Sequence, residues 1–246
     1  MKKIVLLFVI CLSFCSGLRA QREIPPPPPV PVVGNEVAKQ DSTLNLANFI
    51  KEIQIQGVGA NKVEIAWWIP WQYMDAALKS NGSHNAAADS MVNSFKNFTL
   101  IYVIDGKVDK ESLAFKYRSE NEIRKSIQIN INDSIHLQPI SESRYEENLQ
   151  ILLSVLTPAL EKNMGALGEH MCFFVFKNTN DAGNYLVDAS KKGKLSVSWI
   201  ESSSNYSWSL PLDILTPPKF CPVDGEKLSG KYMYCPYHGN KLNNKK

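Results

Sequence analysis

Two stretches near the C-terminus repeat one arrangement of reactive side chains. Phe220-Cys221-Pro222-Val223-Asp224-Gly225-Glu226-Lys227-Leu228 is matched by Tyr234-Cys235-Pro236-Tyr237-His238-Gly239-Asn240-Lys241-Leu242. The shared pattern is aromatic, Cys, Pro, any residue, Asp or His, Gly, any residue, Lys, Leu. Thiolate, imidazole and carboxylate are metal donors. Two of them three positions apart on a tight turn can face a single ion, with Gly permitting the backbone conformation that the turn needs. Ten residues lie between Asp224 and Cys235.

This duplicated pattern resembles a zinc ribbon, whose two knuckles each read Cys-Pro-x-Cys-Gly and are followed by an apolar residue. The resemblance covers about residues 220–242. Carried over position by position, it implies four ligand positions, Cys221, Asp224, Cys235 and His238, and a structural zinc. Asp and His stand where the ribbon has Cys; His is a standard zinc ligand and Asp a rarer one. A catalytic metal is disfavoured, because all four positions would be filled. Two other outcomes stay open. A Cys221–Cys235 disulfide would close a loop near 15 residues and contribute up to ~3 kcal/mol. A ribbon relic would use neither device.

Other constellations are weaker. Trp67, Trp68 and Trp71 offer a stacking platform for a sugar or a proline-rich peptide. The competing reading has Trp67 and Trp71 plugging the core where a strand passes into a helix. His84, His136 and His170 are scattered, and nothing fixes a base beside a nucleophile. Gly-x-Ser-x-Gly, His-Glu-x-x-His, Walker and Gly-x-Gly-x-x-Gly patterns are all missing from the chain. Asp105, Asp109 and Glu111 read as turn chemistry, and Cys172, inside an apolar run, as a buried thiol. Asn-x-Ser/Thr occurs at Asn81, Asn97, Asn132 and Asn205; beside a bacterial-looking leader these read as coincidence.

The elements that must position these residues follow from periodicity. Strand signals fall at 62–67, 97–104, 113–118, 127–132, 135–138, 171–177, 185–189 and 195–201, each rich in β-branched or aromatic residues. Asp105-Gly106 signals a hairpin. Short helices are expected over 71–79 and 86–96, and a long one over 144–163 with Tyr145, Leu149, Leu152, Leu153, Leu156 and Leu160 on one face. Ser143 and Glu146 match a capping box, Pro158 should kink or divide the helix, and Gly165 and Gly168 mark its end. Hairpin-length links make an antiparallel sheet. The expected fold class is therefore α+β, a mostly antiparallel sheet carrying one long and two short helices, with the small ribbon-like tail appended.

The N-terminus carries a different message. Lys2 and Lys3, the apolar run Ile4–Leu12 and Ala20 compose a signal peptide over residues 1–20, cut after Ala20. Ile10 and Phe14 are bulky where lipidation at Cys11 or Cys15 wants a small residue, so a lipoprotein is disfavoured. Residues 21–40 form a proline-rich linker, with Pro25–Pro29 and Pro31 favouring polyproline II. The expected organisation is leader, linker, an α+β domain over 41–218 and a tail over 219–246.

The 246-residue chain has 27 Lys+Arg, 24 Asp+Glu, 44% apolar and 21% charged residues. These values exclude wholesale disorder and the positive field of a general nucleic-acid binder. Removing the leader leaves 24 residues of each sign, divided into a tail of +4 and an acidic body of −4. These features predict a periplasmic or secreted protein with no membrane span in its mature form. The expected function is a non-enzymatic binding or envelope-associated domain acting on a protein or envelope partner. The alternative is an exported enzyme, such as a hydrolase, whose site is not readable from sequence. A pocket gathering His136 or His170 with carboxylates would favour that alternative.

Overall fold

A computed structural model describes residues 44–57, 59, 61–80, 82, 85–109, 111–199 and 206–244. The leader, the whole proline-rich linker, His84 and the Asn81 and Asn205 sequons lie outside the described residues. The fold is α+β with antiparallel sheets, as the sequence predicts. Element order is α1 (Leu46–Ile53), β1 (Gln54–Gly57), β2 (Lys62–Ile69), α2 (Trp71–Ser80), α3 (Ala86–Phe95), β3 (Phe98–Val108), β4 (Phe115–Tyr117), α4 (Glu120–Arg124), β5 (Gln128–Ile131) and β6 (Ile135–Leu137). Then come α5 (Glu147–Met164), β7 (Cys172–Lys177), β8 (Gly193–Ser198), β9 (Tyr206–Leu210), β10 (Lys219–Phe220) and β11 (Lys227–Leu228).

The expected single sheet is two. The first runs β1-β2-β3-β4, with β7 also pairing β3; the second runs β6-β5-β8-β9. Period-2 alternation decides what each face meets. On one face of the first sheet Trp67, Tyr102 and Phe173 pack in sequence with tilted rings, their centroids 6.1 and 4.5 Å apart. This face meets α5, whose Thr157 and Glu161 adjoin the Tyr102 hydroxyl. On the opposite face Trp68 packs on Trp208 of the second sheet, 5.8 Å between centroids. One apolar cluster thus joins both sheets and the helices, from Phe49 of α1 to Leu212. Along α5, Leu149, Leu152, Leu156 and Leu160 are buried in that cluster, as their spacing predicts.

Several local expectations need correction. Asp105-Gly106 is no turn but lies inside the eleven-residue β3. Gly106 is needed there because a Cβ would sit 2.7 Å from the Tyr117 ring. The chain reverses after Asp109, whose Oδ1 accepts the Glu111 and Ser112 amides at 3.0 and 2.9 Å. Residues 185–189 form no strand, because the Asn178 side chain takes the place of a partner. Its Oδ1 accepts the Val187 amide at 2.9 Å and its Nδ2 donates to the Val187 carbonyl at 3.0 Å.

The Ser143–Glu146 capping box does not form. Glu142–Arg144 is a 3-10 turn and α5 starts only at Glu147; the Glu142 carboxylate instead lies 3.3 Å from Arg124. Pro158 sits inside α5 without dividing it, and Gly165 ends it with φ 57°. Several elements escaped the sequence reading, among them β1, α4 and two more. One is α1, capped by Asn45 accepting the Asn48 amide at 3.1 Å; the other is β9, a strict alternation of buried Tyr206, Trp208 and Leu210 with exposed serines.

Candidate metal centre

The two repeats fold into two copies of one turn. Gly225 N–H donates to the Cys221 carbonyl at 2.9 Å, and Gly239 N–H donates to the Cys235 carbonyl at 2.9 Å. Each Cys amide in turn donates across its knuckle, Cys221 to Glu226 O at 3.0 Å and Cys235 to Asn240 O at 2.8 Å. Gly225 and Gly239 both adopt the left-handed region, φ 73° and 70°, which closes the turn and which a side chain would strain. Phe220 and Asn243 exchange backbone hydrogen bonds, 2.7 and 2.9 Å, and so bring the second knuckle back onto the first. A small core of Cys221, Cys235 and Leu242, with Leu228 against it, holds the module together, separate from the main core.

This folding gathers the reactive atoms. Cys221, Cys235 and His238 place Sγ, Sγ and a ring nitrogen within 4.8 Å of one another. His238 Nδ1 is 3.4 Å from Cys221 Sγ and 3.6 Å from Cys235 Sγ. Asp224 stands at the flank, its Oδ2 3.7 Å from His238 Nδ1, while its Oδ1 accepts the Glu226 amide at 2.9 Å. That amide and the Cys221 thiol hold the Asp224 carboxyl below its ordinary range.

The two thiols are free and buried. Burial pushes Cys221 up despite the Asp224 and Val223 amides. At Cys235 burial acts the same way, but the His238 and Tyr237 amides, the His238 ring and Cys221 outweigh it and bring that thiol down. Two soft thiols, an imidazole and an adjacent carboxylate make a donor set suited to a borderline-soft divalent ion. Among the described residues no other cluster of His, Cys, Asp and Glu has this spacing.

The module is fixed to the body at one junction. Asp213 Oδ1 meets Lys231 Nζ at 3.1 Å and accepts from Ser229 Oγ at 3.0 Å. Lys231 Nζ also donates to Ser209 O, 3.3 Å away on β9. Gly230 lies so close to the body that a Cβ would be 2.2 Å from the Pro217 carbonyl oxygen.

The aromatic platform is overturned. Trp67 and Trp68 are buried, 5% and 2% exposed, so neither presents a ring face to a ligand; Trp71 is half-buried beneath Lys96, whose Nζ sits 4.5 Å over its ring. The remaining histidines stand apart from the knuckles. His136 contacts Asn130, and His170 stacks on Tyr117 with centroids 3.7 Å apart. Burial pushes the Cys172 thiol up to about 12, which leaves it unreactive. A cleft of about 190 Å³ on the second sheet gathers Asp188 with Lys191, Lys192 and Lys194 but neither His136 nor His170.

One polar group between the sheets was missed by the sequence reading. Glu64 and Asp105 are direct cross-strand partners and both are 1% exposed. Tyr206 OH donates to Glu64 Oε2 at 2.9 Å, and Trp199 Nε1 to Asp105 Oδ2 at 2.9 Å, beside Arg118 Nε at 3.0 Å. Its signal was a lone carboxylate, Glu64, inside the apolar run of β2. The pair is sealed from solvent, so it latches the sheets and offers no open site. Comparison with protein families, curated proteins and solved structures gave no match, so a functional reading of this chain rests on its sequence and geometry alone.

Proposed function

We propose that this chain is an exported, non-enzymatic binding domain whose C-terminal knuckle pair is closed by a structural zinc ion. The observation that carries the reading is the convergence of Cys221, Cys235 and His238 within 4.8 Å on two identically hydrogen-bonded turns. Asp224 completes the set as the fourth ligand. Zinc fits two thiolates and an imidazole in tetrahedral geometry, and a fully protein-coordinated ion has a structural role. The leader and linker support export and tethering; the target is a protein or another envelope component. No described helix is long and apolar enough to cross a membrane.

Elemental analysis of the purified protein, with a thiol titration after unfolding, tests the metal reading. One equivalent of zinc with three titratable thiols in the leader-free chain is expected. No metal and a single titratable thiol would replace it with a Cys221–Cys235 disulfide. Cell fractionation and the mass of the mature N-terminus test export and the cut after Ala20.

A further inference from the structure

The described chain exposes nine large apolar or aromatic side chains, and five of them, Val223, Tyr232, Met233, Tyr234 and Tyr237, fall within the knuckle module. The α+β body exposes two of its described aromatic rings, Phe115 and Tyr185, whereas the short tail exposes three tyrosines. Tyr237 and Val223 occupy the same position of the two knuckles, between the Pro and the fourth residue of each turn. Tyr232, Met233 and Tyr234 lead directly into Cys235. All three tyrosines are half exposed or more, at 50, 58 and 72%. Tyrosine-rich surfaces of this kind accept polyproline II segments, whose preformed conformation costs little entropy to dock and whose rings stack on the aromatic faces.

We propose that the occupant of this tyrosine surface is the chain's own proline run, Pro25–Pro31, docking in cis; the proposal rests on the tail being the folded module described above. The connecting lengths favour it. Twelve residues, 32–43, separate Pro31 from Leu44 and span up to about 40 Å when extended. Helix α1, eight residues long and so roughly 12 Å, leads from Leu44 to Glu52. Glu52 accepts the Asp213 and Ile214 amides at 2.7 and 2.9 Å. Asp213 in turn holds Lys231, the neighbour of Tyr232. Leu44, where the chain enters the body after the linker, and the tyrosine surface are thus connected through one short helix and its contact. The tether reaches easily, and its effective concentration favours docking in cis over capture of a second copy.

The test uses the leader-free chain with 3-fluorotyrosine incorporated, read by ¹⁹F NMR, and Tyr232, Tyr234 and Tyr237 assigned by single Tyr→Phe changes. Replacing Pro25–Pro29 by Ser should shift the resonances of at least two of the three. A synthetic peptide of residues 22–33 should return them in that variant while leaving the wild-type spectrum unchanged. The wild-type shifts should also survive a roughly 20-fold dilution.

Resonances unmoved by the Pro→Ser change, or a peptide that moves none of them, would overturn the proposal. Shifts that vanish on dilution would overturn docking in cis and assign the surface to a second copy. Zinc content, measured on the same samples, separates this outcome from the metal reading. A zinc-free chain whose tyrosines still answer to the prolines refutes only the metal.

Discussion

Asp105 shows how one residue's environment sets its chemistry. Burial raises its carboxyl above the ordinary range, against the Trp199 and Arg118 contacts that favour the charged form. A raised folded-state value means that the fold prefers the protonated acid. That contribution is complete below the unfolded value near 4 and is lost as pH rises through the folded value. The unfolding free energy of Asp105→Asn relative to wild type should therefore move in the variant's favour as pH climbs from about 4 to 7. Urea titrations at several pH values measure this, and a pH-independent difference would count against it.

At the knuckles, Cys235→Ser should abolish tight zinc binding, whereas Asp224→Asn should weaken it by about 10–100-fold. Competition with a chromophoric chelator reads both. The gathering of Cys221, Cys235 and His238 was legible because a duplicated pattern with Gly at a fixed offset dictates a turn. Glu64 and Asp105 were not, since which acids meet across two strands depends on register, and register is a tertiary fact.

Elements with strong periodicity were legible for the same reason. The apolar face of α5 and the β-branched runs of β2, β3 and β7 fell where their spacing put them. What failed was punctuation. A side chain, Asn178, replaced a strand at 185–189, and Gly106 marked a close approach of Tyr117 rather than a turn. The same logic applies at Gly57 on β1, which faces Glu64. A Cβ there would meet Tyr206 OH at 2.4 Å, whereas one at Gly59 would meet Lys62 Cβ at an ordinary 3.5 Å. Gly57→Ala should force apart the Tyr206–Glu64 bond and cost about 1–3 kcal/mol. Gly59→Ala serves as the control and should cost little. Equal losses in chemical denaturation would show that the bond between the sheets is not what Gly57 protects.

At the scale of the whole molecule, the body and the tail are stabilised differently. The body has an extensive apolar core, whereas the tail has only Cys221, Cys235, Leu242 and Leu228, too few to order a segment against its chain entropy. Chelation should therefore melt the tail and leave the body folded. Hydrogen exchange is expected to lose protection at the Gly225, Gly239 and Leu242 amides while the β3 amides keep theirs. A body that unfolds together with the tail would contradict this division. The tail carries +4 and the body −4, and Lys231–Asp213 is an ion pair between them. Exposed pairs contribute at most about 1 kcal/mol, so the ion pair shares the attachment with the Ser229–Asp213 and Lys231–Ser209 hydrogen bonds and the close approach of Gly230 to Pro217.

The arrangement of strands has a colloidal consequence. The longest, β3, lies inside its sheet, and its outer side is divided between β4 and β7. The strands left at the margins of the two sheets, β1, β4, β6, β7 and β9, run only three to six residues, and along β7 the Val175 carbonyl already accepts the Ile140 amide. Among the described residues, a second molecule arriving side-on finds no row of open amides and carbonyls longer than these short margins on which to extend the sheet. Crowded solutions of this protein should therefore resist fibril growth seeded at sheet margins.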